Sequence, residues 1–131
     1  MTIFLIIKLF FIAFFINLLY ELLHSVLYKT CLEASLKKYI YLILKAAIFD
    51  GAVISIIYYF ASLVGNSSYQ LIIFSFTTLI FAYIWEIYSL KAGKWEYSKK
   101  MPLILGVGIM PLIQLTFTGI LSTYIAFNFF V

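Results

Sequence analysis

The chain has little of what water-soluble domains are made of. Of its 131 residues only 11% are charged and 66% are apolar, whereas a typical soluble domain is about 25% charged and about 45–50% apolar. One small domain has too little interior to bury that much apolar surface. The composition therefore argues against an ordinary soluble globule and predicts that a lipid bilayer surrounds the protein.

Three residue types are scarce or absent, and each absence argues against a class of function. Cys31 is the one cysteine, so no disulfide can form within the chain. His24 is the one histidine, and there is no HxxxH or CxxC spacing, so we expect no metal site and no haem or other cofactor. Arginine is missing, and the net charge of +4 comes from lysines in short loops, so we expect no nucleic-acid partner.

Four apolar runs are long enough to cross a bilayer, at about residues 3–27, 39–64, 71–90 and 102–129. A helix needs about 20 residues to cross a hydrocarbon core of about 30 Å. No segment has the alternating pattern of an outer-membrane strand. The sequence therefore predicts a single all-α domain over residues 1–131, a transmembrane four-helix bundle that is an integral membrane protein.

The lysines predict the orientation of this bundle. Two loops hold most of them, after the first and the third apolar run, and the loop between these two is uncharged: Lys29, Lys37, Lys38, Lys91, Lys94, Lys99 and Lys100. Because positively charged loops stay in the cytoplasm, we expect both termini on the non-cytoplasmic side. The expected location is the cytoplasmic membrane of a prokaryote.

Five ionisable side chains besides Lys8 lie inside the apolar runs: Glu21, His24, Lys45, Asp50 and Glu86. An Asp or Lys at a helix centre costs about 2.5–3.5 kcal/mol on insertion scales. Counted from the predicted cytoplasmic ends, all five fall in the cytoplasmic half or near the midplane. We therefore predict a shared polar pocket in which the three carboxyl groups and the imidazole are the catalytic, proton-transferring groups.

Helical spacing indicates how these groups are arranged on the first run. One stripe at helical spacing contains Asn17, Glu21, His24 and Tyr28, with Tyr20 beside it. Asn17 and Tyr20 are therefore predicted to bind the ligand. The alternative is that Glu21 and His24 form a hydrogen-bonded pair that only holds helices together.

The charged groups on the second and third runs need partners from other helices. Glu86 lies near the C-terminal end of its helix, where the helix dipole disfavours an anion, so we expect it to pair with Lys45. The alternative is that Lys45 extends to the headgroups and Glu86 reaches water. Trp95, in the connection over residues 91–101, is predicted to contribute to binding or to anchor that segment at the membrane interface.

The fourth run suggests an anion site. If its helix begins at Pro102, its free N–H groups lie beside Lys99 and Lys100, an arrangement that favours a phosphate or an anionic headgroup. Gly106 and Gly108 are predicted to contribute to binding because they allow a ligand to approach the backbone closely. Gln114 is predicted to bind the ligand from a polar ridge in the interior. Pro111 predicts a kink. The alternative is helix packing by small and weakly polar residues.

In combination, these motifs resemble a family of small bacterial integral membrane proteins. The residues that carry the resemblance are Asn17, Tyr20, Glu21, Cys31, Asp50-Gly51, Gly93-Lys94-Trp95-Glu96-Tyr97, Met101-Pro102, Gly106-Val107-Gly108, Pro111 and Gln114. The family usually has a tryptophan where this chain has Tyr20. The resemblance implies a four-span protein of about this length, and it implies nothing about a reaction or a substrate.

The functional hypothesis is an enzyme or binding protein for a lipid or isoprenoid-like molecule, held in a polar pocket of the cytoplasmic leaflet. Two alternatives stay open at this point. One is a proton-coupled small transporter that uses Asp50 or Glu86 as its titrating group. The other is a structural accessory subunit of a membrane complex. The expected partners are membrane lipids, together with a second copy of the chain or a larger membrane partner.

Overall fold

The computed structural model describes residues 2–64 and 66–128, and most of them are helical. Four long helices are each long and apolar enough to span a membrane: α1 (Ile3–His24), α3 (Leu36–Ser62), α4 (Ser67–Lys91) and α5 (Ile109–Asn128). The connection after α1 contains a 3₁₀ turn (Ser25–Leu27) and the short helix α2 (Lys29–Leu32). The connection after α4 contains strands β1 (Leu103–Ile104) and β2 (Val107–Gly108).

Polar residues fix where three of the long helices begin. Thr2, Ser35 and Asn66 precede α1, α3 and α4. Each side-chain oxygen accepts a hydrogen bond from the backbone N–H three residues further on, at 3.3–3.4 Å. These caps satisfy N–H groups that the first turn of a helix leaves without a partner. The apolar runs therefore become helices with defined starts.

The four long helices pack as a ring in chain order. α1 contacts α3 and α5, and α4 contacts the same two helices from the opposite side. Gly51 on α3 allows α1 to approach closely, because a Cβ atom there would lie 3.2 Å from the backbone nitrogen of Phe14. Large apolar side chains remain exposed around the outside of the ring, as expected for a surface that faces lipid.

The two ends of the bundle differ. Toward the end where α3 is followed by α4, the interior is filled by apolar side chains, and Leu9, Ile54 and Phe74 are all 0% exposed. Gly119 on α5 makes room for one of them, since a Cβ atom there would lie 2.5 Å from the ring of Phe74. We call this the apolar end. The opposite end, formed by residues 25–35 and 92–108, is called the lysine-rich end.

At the lysine-rich end, the connection after α4 lies along the connection after α1. The backbone N–H of Lys29 donates to the carbonyl of Glu96 at 2.9 Å, and the N–H of Ser98 donates to the carbonyl of Leu27 at 2.8 Å. The N–H of Glu96 donates to Thr30 Oγ1 at 2.8 Å. The two connections therefore form one cap over this end of the bundle, residues 26–30 paired with residues 95–98.

The start of the fourth long helix differs from the sequence prediction. The helix begins at Ile109, and residues 103–108 form an antiparallel hairpin in which Ile104 pairs with Val107. Leu105 and Gly106 form its two-residue turn, both with positive φ, at 50° and 80°. Two central residues of positive φ are typical of a tight hairpin turn and cannot continue an α-helix. The predicted helix start at Pro102 is therefore wrong.

Two predictions that depended on that start are wrong as well. Lys99 and Lys100 do not flank a helix N-terminus, and both are exposed in the connection before the hairpin. Pro111 lies in the first turn of α5, where a missing N–H breaks no helical hydrogen bond. In a continuous helix Pro111 would leave the carbonyl of Val107, four residues earlier, without a partner, but Val107 belongs to β2. The argument for a kink at Pro111 therefore does not apply.

Candidate functional site

A cluster of polar side chains from α1, α3 and α5 lies in the interior of the bundle. Gln114 Nε2 lies 2.8 Å from Glu21 Oε1, 2.9 Å from Asp50 Oδ2 and 3.1 Å from Asn17 Oδ1. The carboxyl groups of Glu21 and Asp50 also face each other within hydrogen-bonding distance. Because an amide nitrogen carries two protons, Gln114 cannot give each of these three acceptors a proton of its own. Glu21 and Asp50 therefore depend on one amide nitrogen as the donor between them.

Other side chains support this cluster from behind. His24 is buried, and its Nε2 lies 3.0 Å from Glu21 Oε2. Asn17 is fixed by its own donation to the Ala13 carbonyl at 2.8 Å, while Thr118 Oγ1 lies 3.0 Å from its Oδ1. Tyr20 donates to the carbonyl of Met110 at 2.7 Å, which ties α1 to the start of α5. The stripe predicted on α1 therefore faces the interior.

The carboxyl group of Glu86 lies in a different neighbourhood, beneath the cap. Its Oε1 accepts hydrogen bonds from Tyr97 Oη at 2.6 Å, Trp95 Nε1 at 3.0 Å and Tyr28 Oη at 3.2 Å. Tyr97 Oη in turn accepts from the backbone N–H of Gly108 at 3.0 Å. Glu86 therefore holds together three parts of the lysine-rich end: the connection after α1, the connection after α4 and the hairpin.

The expected ion pair between Lys45 and Glu86 does not form among the described residues. The Lys45 ammonium lies 5.7 Å from the ring centroid of Tyr41, on its own helix. The partners of Glu86 are uncharged O–H and N–H donors that the two connections bring over the helix end. Helical spacing gives no sign of such partners, because they lie outside the helices.

Two tyrosines and the cysteine of the connections remain in their neutral forms. Burial and the neighbouring Glu86 carboxyl raise the pKa values of Tyr28 and Tyr97, so both phenols stay protonated as donors. Burial also raises the pKa of the Cys31 thiol. A thiol with a raised pKa has little thiolate, which makes Cys31 a poor nucleophile.

The two carboxyl neighbourhoods line one cavity of about 340 Å³ in the lysine-rich half of the bundle. Its polar wall contains Glu21, Asp50, Glu86 and Gln114, with Tyr28, Thr30 and Cys31 from the connection after α1. Its apolar wall contains Leu42, Ile43, Ala46, Phe49, Ala82, Trp85, Trp95, Pro111 and Leu115. All four long helices contribute, so the cavity lies inside the ring.

The mouth of the cavity is marked by two cations on an aromatic surface. Of the lining residues, Lys45 and Lys94 are exposed, while the others are buried or partly buried. The Lys94 ammonium lies 4.3 Å from the ring centroid of Trp85, at the distance of a cation–π contact. Trp85 stacks on Phe49 across the gap between α4 and α3, at 4.7 Å between centroids. The cavity therefore opens beside a pair of stacked rings.

The structure separates the predicted site residues into three groups. Six line the cavity: Glu21, Lys45, Asp50, Glu86, Trp95 and Gln114. Three lie behind them and make hydrogen bonds or ring contacts with the cluster or its helices: Asn17, Tyr20 and His24. Four lie away from the cavity: Lys99, Lys100, Gly106 and Gly108. Gly108 has a packing role, because a Cβ atom there would lie 2.8 Å from Met101 Sδ.

Several cavity residues were not singled out as site residues from the sequence, among them Phe49, Trp85 and Lys94. For two of them the sequence contains a pattern that could have identified them. An aromatic residue directly precedes the carboxyl residue on each of two helices, Phe49 before Asp50 and Trp85 before Glu86. Neighbours on a helix point about 100° apart, so each ring forms the wall beside its carboxyl group.

Comparison with known proteins gives no relative. No protein family matches the chain, and no curated protein or solved structure is significantly similar to it. The family resemblance of the motifs therefore stays an interpretation of the sequence. Within residues 2–64 and 66–128, no group of three or more His, Cys, Asp or Glu side chains is placed to hold a metal ion.

Proposed function

We propose that the protein is an integral membrane protein that binds an amphipathic, lipid-like or isoprenoid-like molecule in the cavity and exchanges a proton with it. One observation carries the proposal. Carboxyl groups from three helices, Glu21, Asp50 and Glu86, line one cavity whose remaining wall is aromatic and aliphatic. Carboxyl groups are costly inside a membrane, so three around one apolar space point to a site that handles protons or polar groups.

The size of the cavity limits what part of the ligand enters it. A volume of about 340 Å³ lies at the small end of ligand pockets, which hold about 300–1,000 Å³. It accommodates a head group or the reacting part of a chain, and the rest of an apolar chain would lie along the gap between α3 and α4. The stacked rings of Phe49 and Trp85 offer an apolar path there.

The free hydrogen-bonding atoms indicate the chemistry of the head group. The N–H and O–H donors of Gln114, Tyr28 and Trp95 are already used on carboxyl oxygens. Every described hydrogen bond to Glu86 ends on Oε1, which leaves its Oε2 for another group. The carboxyl groups of the cavity therefore offer acceptors, and they favour a ligand that carries a hydroxyl or an amine.

Access from one end favours binding or catalysis over transport. A proton-coupled transporter needs a second polar path, from Asp50 to the apolar end. That half of the interior is filled by Leu9, Ile54 and Phe74, which are fully buried. Its hydroxyl groups mostly bond to carbonyls of their own helices, as Ser55 does to Gly51. We therefore prefer the proposal of a pocket that opens at one end.

Tryptophan fluorescence can test binding directly, because the chain has two tryptophans and both line the cavity. The full chain in lipid nanodiscs is titrated with medium-chain alcohols and amines that carry bromine, a fluorescence quencher, at the chain end. We expect saturable quenching by both probes and weaker quenching by the matched alkyl sulfate. Quenching that rises linearly with probe concentration, for all three head groups alike, would overturn the proposal.

Matched variants on α3 decide whether the carboxyl groups are responsible. Asp50→Asn removes one acceptor from the cavity and should weaken alcohol and amine binding about fivefold, the value of one hydrogen bond of about 1 kcal/mol. Ser55→Ala is the control, since Ser55 is buried on the same helix but does not line the cavity. Equal affinities for Asp50→Asn and wild type would contradict the role of the carboxyl group.

A further inference from the structure

We propose that Glu21 and Asp50 form a carboxyl pair that holds one proton between them. Their oxygens face each other within hydrogen-bonding distance, and both carboxyl groups lie 2.8–2.9 Å from the same nitrogen, Gln114 Nε2. Two ionised carboxylates in this position would oppose lone pair to lone pair, since neither carries a proton. One proton converts the contact into a strong O–H···O hydrogen bond.

No positive charge replaces that proton on Asp50. The groups that face the pair are Glu86 from α4, the neutral amide of Gln114 from α5 and His24 from α1. Lys45 and Lys94 also line the cavity, but neither forms an ion pair with Asp50 or Glu21 among the described residues. Among the described residues, Asp50 has no ion-pair partner within 4 Å, and His24 contacts Glu21 on its far oxygen, Oε2. Two adjacent, partly buried negative charges with one neutral donor between them are disfavoured, whereas a shared proton removes one of them.

The pair connects the cavity with a buried imidazole. Glu21 and Asp50 both line the cavity, and His24 Nε2 lies 3.0 Å from the outer oxygen of Glu21. His24 Nδ1 has no partner among the described residues, and the ring is held between Tyr20 and Tyr28. We assign Asp50 and Glu21 as the groups that give or take the proton and His24 as a positioning residue behind them. The existence of the pair does not need a ligand, whereas its use rests on the proposed function.

A hydrophobic carbodiimide tests the shared proton without any ligand. Dicyclohexylcarbodiimide modifies carboxyl groups that carry a proton in apolar surroundings. Near neutral pH we expect one adduct per chain, mapped by peptide mass spectrometry to Asp50 or Glu21. Glu86 should be modified less than the pair, because three donors stabilise its ionised form. Modification mainly at Glu86, or at none of the three, would overturn the proposal.

Variants distinguish a shared proton from simple accessibility. In Asp50→Asn the new amide can donate a hydrogen bond to Glu21, so Glu21 no longer needs a proton. Modification of Glu21 should therefore fall at least about tenfold relative to the total labelling of the wild type. Ser55→Ala, on the same helix but outside the cavity, should leave labelling of the pair unchanged. Undiminished labelling of Glu21 in Asp50→Asn would overturn the proposal. Infrared absorbance of a protonated carboxyl, present in wild type and absent in Asp50→Asn, gives the same test without a reagent.

The two proposals can fail separately. If labelling behaves as expected but the brominated probes do not bind, the proton-sharing pair stands and the proposed ligand class is wrong. If the probes bind but no protonated carboxyl is detected, the binding site stands and the shared proton is wrong. His24→Gln adds a readout for the positioning residue, since it should change the pH at which labelling declines while leaving probe binding intact.

Discussion

Asp50 and Glu86 line the same cavity, yet their hydrogen-bonding situations are opposite. Glu86 Oε1 receives three donors within 2.6–3.2 Å. Asp50 receives one donor, from Gln114, and otherwise faces the carboxyl group of Glu21. The first carboxyl group has three donors on one of its oxygens, whereas the second has a single donor and faces another carboxyl group.

This difference suggests that one carboxyl group stabilises the fold and the other takes part in proton transfer. A buried carboxylate with three donors holds the segments that supply those donors, here the two connections and, through Tyr97, the hairpin. A carboxyl that lacks donors must hold a proton or receive a donor from a ligand. We therefore interpret Glu86 chiefly as the anchor of the cap, and the Glu21–Asp50 pair as the centre of the proposed proton chemistry.

Removal of the anchor should have the largest effect. Glu86→Ala leaves the donors of Tyr28, Trp95 and Tyr97 without their acceptor, and we expect a loss of about 3–5 kcal/mol in the free energy of unfolding. The measurement is unfolding in mixed micelles with increasing denaturing detergent. Cleavage within residues 92–108 by added protease should also become faster, because the cap is released.

An acidic residue on the surface of the cap provides the control. Glu96 is 71% exposed and lies 3.5 Å from Lys29. Such exposed pairs contribute about 0–1 kcal/mol, so Glu96→Ala should unfold almost as wild type does. If Glu86→Ala and Glu96→Ala lose similar amounts, the interpretation of Glu86 as an anchor is wrong.

A single donor to Glu86 should have an intermediate effect. Tyr97→Phe removes a bond of 2.6 Å to the carboxylate and also the acceptor of the Gly108 N–H, so we expect a loss of about 1–3 kcal/mol. Tyr83→Phe is the matched control, because its hydroxyl makes one exposed bond of 3.3 Å to the Leu105 carbonyl. Equal losses in the two variants would contradict the special role of the buried bond.

The difference in stability between wild type and Tyr97→Phe should depend on pH, because the folded protein raises the pKa of Tyr97. The unfolded chain releases the phenol proton at pH about 10, whereas the folded protein retains it to higher pH. The stabilisation is therefore complete below pH about 10 and declines as the pH rises toward the folded value. The Tyr97→Phe variant has no such proton at this position, so the stability difference between it and wild type should shrink above that pH.

The long helices and the location of the carboxyl groups could be predicted from the sequence, but the cap could not. Apolar length sets the spans, and the cost of a buried charge makes each intramembrane carboxyl conspicuous. The hairpin was missed because residues 102–108 continue an apolar run. Leu105 lies in the hairpin turn and is 81% exposed. An apolar residue at this position therefore does not indicate a helix. The partners of Glu86 depend on how two connections meet, which no periodicity encodes.

The smallest effect on stability is expected at the residue with the strongest link to function. In Asp50→Asn the new side-chain amide can donate to Glu21 where the shared proton did, and its oxygen can still accept from Gln114. We therefore expect a change below about 1 kcal/mol in the same unfolding measurement, as for a substitution that keeps shape and satisfies its neighbours. A loss of about 3 kcal/mol or more would mean that the fold needs an ionised Asp50. Asp50 would then be an anchor like Glu86, and the distinction between the two carboxyl neighbourhoods would not hold.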